Sequence, residues 1–304
     1  MASLLRGTAF ITGAASGIGK QTALAFAKNG ITRLALADVN REALQATSNL
    51  LRRQYRAVEV LDLPIDVRNA SEVTIGIAEA VSCFGRLDVA VNNAGIGGSG
   101  RSTHETDEDE FVRVVDIDLY GVLRCQREEI KVMLRQEYAQ RVPKVSVKVA
   151  ALIDLGFRRG RGAIINVASV LGVVSPAPFM FQTAYSTAKH GVMGLTKSDA
   201  NTYGPRGIRI NAVCPGFIST PINLAQAQES GGALDRYIEN TPLKRLGTVE
   251  EVADCEASYS FHHVFLLGRL TELTRTTGIV FLASDMSSFM QGTGLVADGG
   301  LTAH

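Results

Sequence analysis

The stretch TAFITGAASGIG, residues 8–19, decides the fold. Thr8 to Thr12 form a short, β-rich apolar run that reads as a strand. The run meets a turn carrying Gly13, Gly17 and Gly19, and KQTALAFAKNG (20–30) continues at helical spacing to Gly30, where a helix C-cap is expected. Strand, glycine turn and helix in that order make a place for a phosphate. Glycines let the backbone turn sharply and approach a pyrophosphate closely, and the start of a helix offers free N–H groups and a partial positive charge. The spacing is G-x-x-x-G-x-G, not the commoner G-x-G-x-x-G, and alone it also fits a plain strand-to-helix turn.

Working outward, LALAD (34–38) reads as a second strand closing on an acid, followed by the helical pattern REALQATSNLLRRQ (41–54) and the strand-like VEVLDLPIDV (58–67). After another helix come LDVAVNNAG (87–95), AIINVAS (163–169), a long helix from Tyr185 to Tyr203, IRINAVCPG (208–216) and GLVADGG (294–300). Strands alternating with helices predict an α/β fold whose parallel sheet is covered by helices on both faces. No repeat or low-complexity linker divides the chain, so one domain over residues 1–304 is expected.

Composition narrows the function. Lys+Arg number 31 against 30 Asp+Glu, which leaves no electrostatic footprint for nucleic acid. No apolar run reaches the ~18 residues that a membrane span needs. Cys83, Cys125, Cys214 and Cys255 are scattered without metal or disulfide spacing, and His262–His263 lack a third ligand at useful spacing. A cytoplasmic protein without a metal is the expectation.

Two further features carry chemistry. Asp38 ends the second strand, where an acid bonds the adenosine ribose hydroxyls and repels a 2′-phosphate, and neither Ser16 nor Val39 supplies a compensating cation. NAD(H) is therefore preferred, with NADP(H) the alternative. Tyr185 and Lys189 stand four apart and share a helix face. A neighbouring ammonium stabilises phenolate and is expected to lower the tyrosine pKa from ~10, fitting it for acid–base work. A lone pair of this kind also occurs on helix surfaces.

TGAASGIG (12–19), Asp38, Asp66–Val67, NNAG (92–95), Ser169, YSTAK (185–189), CPG (214–216) with Thr220, and DGG (298–300) stand in one order over nearly the whole chain. In this the sequence resembles the short-chain dehydrogenase/reductase family, whose fold is a doubly wound, three-layer Rossmann fold. The resemblance implies that Gly13, Ser16, Gly17, Ile18 and Gly19 hold the pyrophosphate and neighbouring ribose, and that Asp38 holds the adenosine ribose. It implies that Asp66 and Val67 flank the adenine, that Asn93, Ala94 and Gly95 line the cofactor cleft, and that Pro215, Gly216, Ile218 and Thr220 position the carboxamide. Tyr185 would exchange the proton, Lys189 would bond the nicotinamide ribose, and Ser169 would bond the substrate oxygen.

Three departures stand out. The family's N-L-x-G setting reads Asp118-Leu119-Tyr120-Gly121 here. The main-chain carbonyl of that residue contacts a relay water in the family, so Asp118 is expected to serve as a relay member, with extra negative charge near Lys189. Residues 138–158 and 255–277 fit no family element. They read as surface excursions, as translated intron sequence, or as a partner-binding addition; removing the second would join VEEVAD to GIVFLAS in one helix.

The expected activity is hydride transfer between nicotinamide and a secondary alcohol or ketone. A 3-oxoacyl or polyketide-type carbonyl reductase of secondary metabolism, as in fungal members that the chain resembles, is the alternative. A non-catalytic nucleotide sensor is the reading from another class, against which stand Ser169, Tyr185 and Lys189 together. Pro221, Ile222, Leu224, Ala225 and Leu234 follow CPG and predict a small hydrophobic alcohol or carbonyl substrate. The family implies a homo-oligomer, tetramer or dimer, with the helix from Phe111 to Arg135 as candidate interface.

Overall fold

Seven short runs of the chain pair side by side in parallel, in the order β3-β2-β1-β4-β5-β6-β7. They are β1 (Thr8–Thr12), β2 (Arg33–Asp38), β3 (Glu59–Pro64), β4 (Val89–Asn92), β5 (Gly162–Val167), β6 (Ile208–Pro215) and β7 (Gly294–Ala297). The computed structural model describes residues 4–137, 160–221, 223–224, 233–253 and 278–303. Stretch 138–158, stretch 255–277 with its histidine pair, Ile222 and Ala225 lie outside the described residues.

Helices cover both faces, so the strands are mostly apolar, with Asp62 of β3, Asn92 of β4, Asn166 of β5, and Arg209 and Asn211 of β6 among the exceptions. β1 and β4 are buried at every position, and Phe10 and Ile11 enter the cores on opposite sides of the sheet. One core joins Ile11 to Phe26 of α1 (Gly17–Lys28) and to Val252 and Ile279 of the short helices α8 (Val249–Ala253) and α9 (Gly278–Ala283). The other joins Phe10 and Ile164 to Val73 and Ile77 of α3 (Ala70–Phe84) and to Ile130 and Met133 of α5 (Gly121–Arg135). This is the α/β fold expected from the alternation, in the doubly wound Rossmann form that the resemblance implied. The remaining helices are α2 (Arg41–Gln54), α4 (Glu108–Val115), α6 (Thr183–Tyr203) and α7 (Ala233–Asn240). No helix among the described residues is long and apolar enough to cross a membrane.

Strand order reverses between β1 and β4, and a crevice at the carboxyl ends of the strands follows from that reversal. The chain ends flanking the two atypical stretches lie together. Gln136 Nε2 donates to the Arg161 carbonyl at 2.8 Å, and Arg161 Nη1 donates to the Gln136 carbonyl at 2.8 Å. Likewise α8 and α9 pack on one another and on α1.

A polar chain crosses the second core. Asn92 and Asn166, register partners on β4 and β5, are joined at 3.1 Å. Asn92 Nδ2 also donates to Glu129 Oε2 at 3.0 Å, and Asn166 Nδ2 donates to Gln126 Oε1 and Thr196 Oγ1. Glu129 is fully buried, and burial pushes its carboxyl up to about 8 against the pull of Asn92. A carboxyl raised in the folded state binds a proton that the unfolded chain releases above ~4.5, so stability declines as pH rises toward 8. Glu129→Gln keeps the shape without that liability. We expect its stability advantage over wild type to be near zero at pH 5 and to grow to the order of 3 kcal/mol at pH 8. Urea unfolding across that range reads it, and a pH-independent difference would refute the buried proton.

Candidate active site

The crevice is a cavity of about 510 Å³, within the usual size of ligand sites. The ends of six strands, β1 to β6, and three helices build it. On its floor, Thr12 Oγ1 accepts from the N–H groups of Asn93 (2.9 Å) and Ala94 (3.0 Å). Asn93 Nδ2 donates in turn to the carbonyls of Thr12 (3.1 Å) and Gly13 (3.2 Å). These bonds clamp the NNAG segment to the glycine turn. Gly13 and Gly17 have φ of +66° and +52°, a left-handed backbone that an L side chain rarely adopts.

The starts of α1, α2 and α3 differ in one telling respect. Asn40 caps α2, accepting from Ala43 N–H, and Asn69 caps α3, accepting from Ser71 and Glu72 N–H, each with a glutamate in the first turn. Ser16 at the start of α1 makes no side-chain cap, and the first turn of α1 has no acid. An uncapped, acid-free helix start on a glycine turn suits a phosphate, so the residues fit a dinucleotide.

Gly13, Ser16, Gly17 and Ile18 line the cavity, whereas Gly19 is buried behind them. Asp38 lines it at the end of β2, with one carboxylate oxygen accepting from Ala15 N–H and the other from Asn40 N–H, both at 2.9 Å. Asp66 and Val67 line the neighbouring wall. Asp66 is locked to Arg68 at 2.6 Å, which holds its carboxyl below the ordinary value. Asn93, Ala94 and Gly95 border the floor, and Pro215, Gly216, Ile218 and Thr220 the side beyond β6. A Cβ on Gly17 would stand 3.6 Å from Thr220 Cγ2, so this loop faces the glycine turn across the cleft.

The candidate chemical group converges from β5, α6 and the segment between α4 and α5. Ser169 is buried just past β5, its Oγ accepts from Leu171 N–H at 3.1 Å, and its hydroxyl favours the phenolate form of Tyr185. Lys189 is buried one turn along α6, with its ammonium 5.3 Å from the Tyr185 ring centroid and donating to the Val167 carbonyl at 3.1 Å. Asp118 lies in a π turn, Asp116–Tyr120, that links α4 to α5. It is fully buried, its Oδ1 accepts from Ile96 N–H at 2.8 Å, and its Oδ2 stands 3.2 Å from Lys189 Nζ.

One expectation is corrected here. Lys189 does pull the Tyr185 pKa down, but burial pushes it up more strongly, Asp118 adds to the rise, and the phenol ends above its ordinary value. Several lining residues carried no motif that would reveal them: Ile96, Leu171, Met180, Gln182, Phe217 and Asn223. Ile96 and Phe217 directly follow NNAG and CPG, and that adjacency is the one available signal. Of the apolar residues expected past CPG, Pro221 lines the cavity and Leu224 is exposed.

Comparison with known proteins agrees with this geometry. The family described as enoyl-(acyl carrier protein) reductase matches residues 13–259. The short-chain dehydrogenase anuF of Penicillium roqueforti (strain FM164) is 33% identical over 310 residues, covering 99% of this chain and 98% of the relative. Cyclohexanol dehydrogenase of Acinetobacter sp. (strain SE19) is 32% identical over 296 residues, covering 97% and 94%. The crystal structure of levodione reductase superposes with a TM-score of 0.78 at 31% identity, covering 98% of each chain. A seven-stranded parallel sheet, a glycine turn leading into an uncapped helix, and relatives named as dehydrogenases and reductases along their whole length make this chain an oxidoreductase of the short-chain dehydrogenase/reductase family.

Proposed function

We propose that the chain is an NAD(H)-dependent dehydrogenase or reductase acting on a small, apolar secondary alcohol or ketone. The observation that carries this reading is the convergence of Ser169, Tyr185 and Lys189 on the cavity into which α1 opens uncapped. Nicotinamide, when bound, supplies the hydride chemistry. Tyr185 exchanges the proton at the substrate oxygen, and Ser169 donates a second hydrogen bond to that oxygen. Such prearranged donors stabilise the charge that develops there. Lys189 holds the nicotinamide ribose and the phenol in mutual register, and Asp118 belongs to the proton relay behind it. The glycine turn and Ser16 hold the pyrophosphate, Asp38 the adenosine ribose, Asp66 and Val67 the adenine, and the loop from Pro215 to Thr220 the carboxamide.

Ile96, Leu171, Met180, Phe217 and Pro221 support an apolar substrate, and a relative named for cyclohexanol agrees with it. The 3-oxoacyl or polyketide alternative draws on the family description and on fungal relatives. Cys83, Cys125 and Cys214 are free, which suits the cytoplasm as the proposed location. Val112, Tyr120 and Leu123 are exposed along residues 108–135 and would be covered in the proposed homo-oligomer.

Preference for NAD(H) rests on Asp38. Arg41, the nearest cation in sequence, does not line the cavity, and Arg68 is engaged by Asp66. In fluorescence titrations of the full chain, NADH is expected to bind at least tenfold more tightly than NADPH, and Asp38→Ala to close most of that gap. Tighter binding of NADPH by wild type would overturn the assignment of Asp38. Binding of neither would overturn the dinucleotide reading.

A further inference from the structure

Lys189 donates one of its three N–H groups to the Val167 carbonyl at 3.1 Å. Its ammonium also stands 3.2 Å from Asp118 Oδ2, in an ion pair. The lysine and aspartate side chains are 4% and 0% exposed, so the pair is almost wholly buried in the wall of the cavity. Asp118 cannot swing away cheaply. Ile96 N–H holds its other oxygen, and Gly95 packs so closely that a Cβ there would stand 2.9 Å from Oδ2.

We propose that Asp118 is a positioning residue of the reaction: as a carboxylate in a buried ion pair, it draws Lys189 toward the π turn and offsets the positive charge that Lys189 would otherwise turn on Tyr185. This is a role for the side chain, separate from a main-chain relay. An asparagine at this position would keep the bond to Ile96 N–H and leave the ammonium uncompensated. The lysine therefore acts here as half of a neutral pair, and the proton on Tyr185 is held more tightly than beside a lone ammonium.

The surroundings leave few competitors for this control. From α6 the pair faces Tyr185, and from β6 Cys214. The segment past β4 offers Asp118 only the Ile96 amide. Asp116, in the same π turn, is paired with Arg124 at 2.7 Å. Burial pushes the Asp118 carboxyl above its ordinary value, while Lys189 and Ile96 N–H pull it back. Lys189 is raised: burial pulls it down, and Asp118, Tyr185 and Cys214 together outweigh that pull.

The proposal rests on the reading of Tyr185 as the proton carrier, but its test needs no turnover. Tyrosinate absorbance of the ligand-free full chain is titrated for wild type, Tyr185→Phe, Asp118→Asn and the double variant. Subtracting each phenylalanine partner isolates Tyr185. At an effective dielectric of ~20, removing the Asp118 charge is expected to lower the Tyr185 midpoint by about one pH unit or more in Asp118→Asn. If a substrate is found, the alkaline-rising limb of kcat/KM for oxidation should move down by the same amount. Coincident Tyr185 midpoints with and without Asp118 would overturn the proposal, because Asp118 would then be protonated or mere packing. So would a loss of activity at every pH without a shift in the limb. A shifted midpoint in a protein that oxidises no alcohol would uphold the ion-pair role and sink the proposed function alone. Asp118→Glu serves as the second variant if Asp118→Asn melts early; a restored carboxylate should return the midpoint toward wild type.

Discussion

Tyr185→Phe is expected to lower kcat/KM for alcohol oxidation by at least a thousandfold while leaving the NADH dissociation constant within about threefold of wild type. The substitution removes one oxygen and keeps the ring. General acid–base catalysis contributes roughly 10²–10⁴-fold, and loss of a prearranged donor to a developing oxyanion costs a further large factor. The two effects fall on a single atom here, because one phenol oxygen would both exchange the proton and donate to the developing oxyanion, with Lys189 5.3 Å from the centroid of its ring. Cofactor affinity should survive, because the clamped glycine turn and the open start of α1 lie on the other side of the cavity. Parallel NADH titration and thermal melting separate the outcomes. Retained activity in a folded variant would remove Tyr185 from the chemistry. Equal loss of binding and turnover with a lowered Tm would mean that the phenol supports the fold instead.

The legible parts of this molecule are those written in consecutive residues. Most of the strands announce themselves as largely apolar runs, since a parallel strand buried on both faces has little room for polar residues. The glycine turn is equally local, and so is the four-residue step from Tyr185 to Lys189 along one helix face. What the chain conceals depends on distant segments meeting. The resemblance places Asp118 near Lys189, but nothing in the neighbouring residues shows that the two side chains stand 3.2 Å apart or that Asp118 sits in a π turn. A helical pattern does not predict that turn, because one inserted residue shifts the face without changing composition. The same limit reversed the expectation for Tyr185. Sequence spacing supplies the lysine but not the depth of burial, and burial outweighs the lysine. The buried Glu129 left a faint trace. Asparagines end the apolar runs VAVN and AIIN, and their register pairing across β4 and β5 turns two isolated polar residues into one network.

Gly19→Ala is expected to destabilise the protein by on the order of 2 kcal/mol and to weaken NADH binding at least a hundredfold, although helix propensity alone predicts a gain. Gly19 lies in the first turn of α1, and alanine is favoured over glycine by about 1 kcal/mol in a helix interior. The opposing effect is steric. A Cβ at Gly19 would collide with the Gly13 carbonyl oxygen and stand 2.6 Å from Asn93 Nδ2. Neither neighbour is the free end of a flexible chain: one is backbone, and the other is held by the Thr12 and Gly13 carbonyls at 3.1 and 3.2 Å. Relief therefore requires the turn to open, and overpacking of this kind costs about 1–3 kcal/mol or more. Opening the turn also moves the N–H groups at the start of α1 away from a bound phosphate. Gly194 supplies the control. It is an exposed residue of α6, and a Cβ there meets nothing within 4 Å. Gly194→Ala should raise the Tm and leave NADH affinity unchanged, so one chemical change has opposite signs at two helical sites. If Gly19→Ala also raised the Tm and kept its affinity for NADH, the close approach of α1 to the glycine turn could not be what shapes the phosphate site.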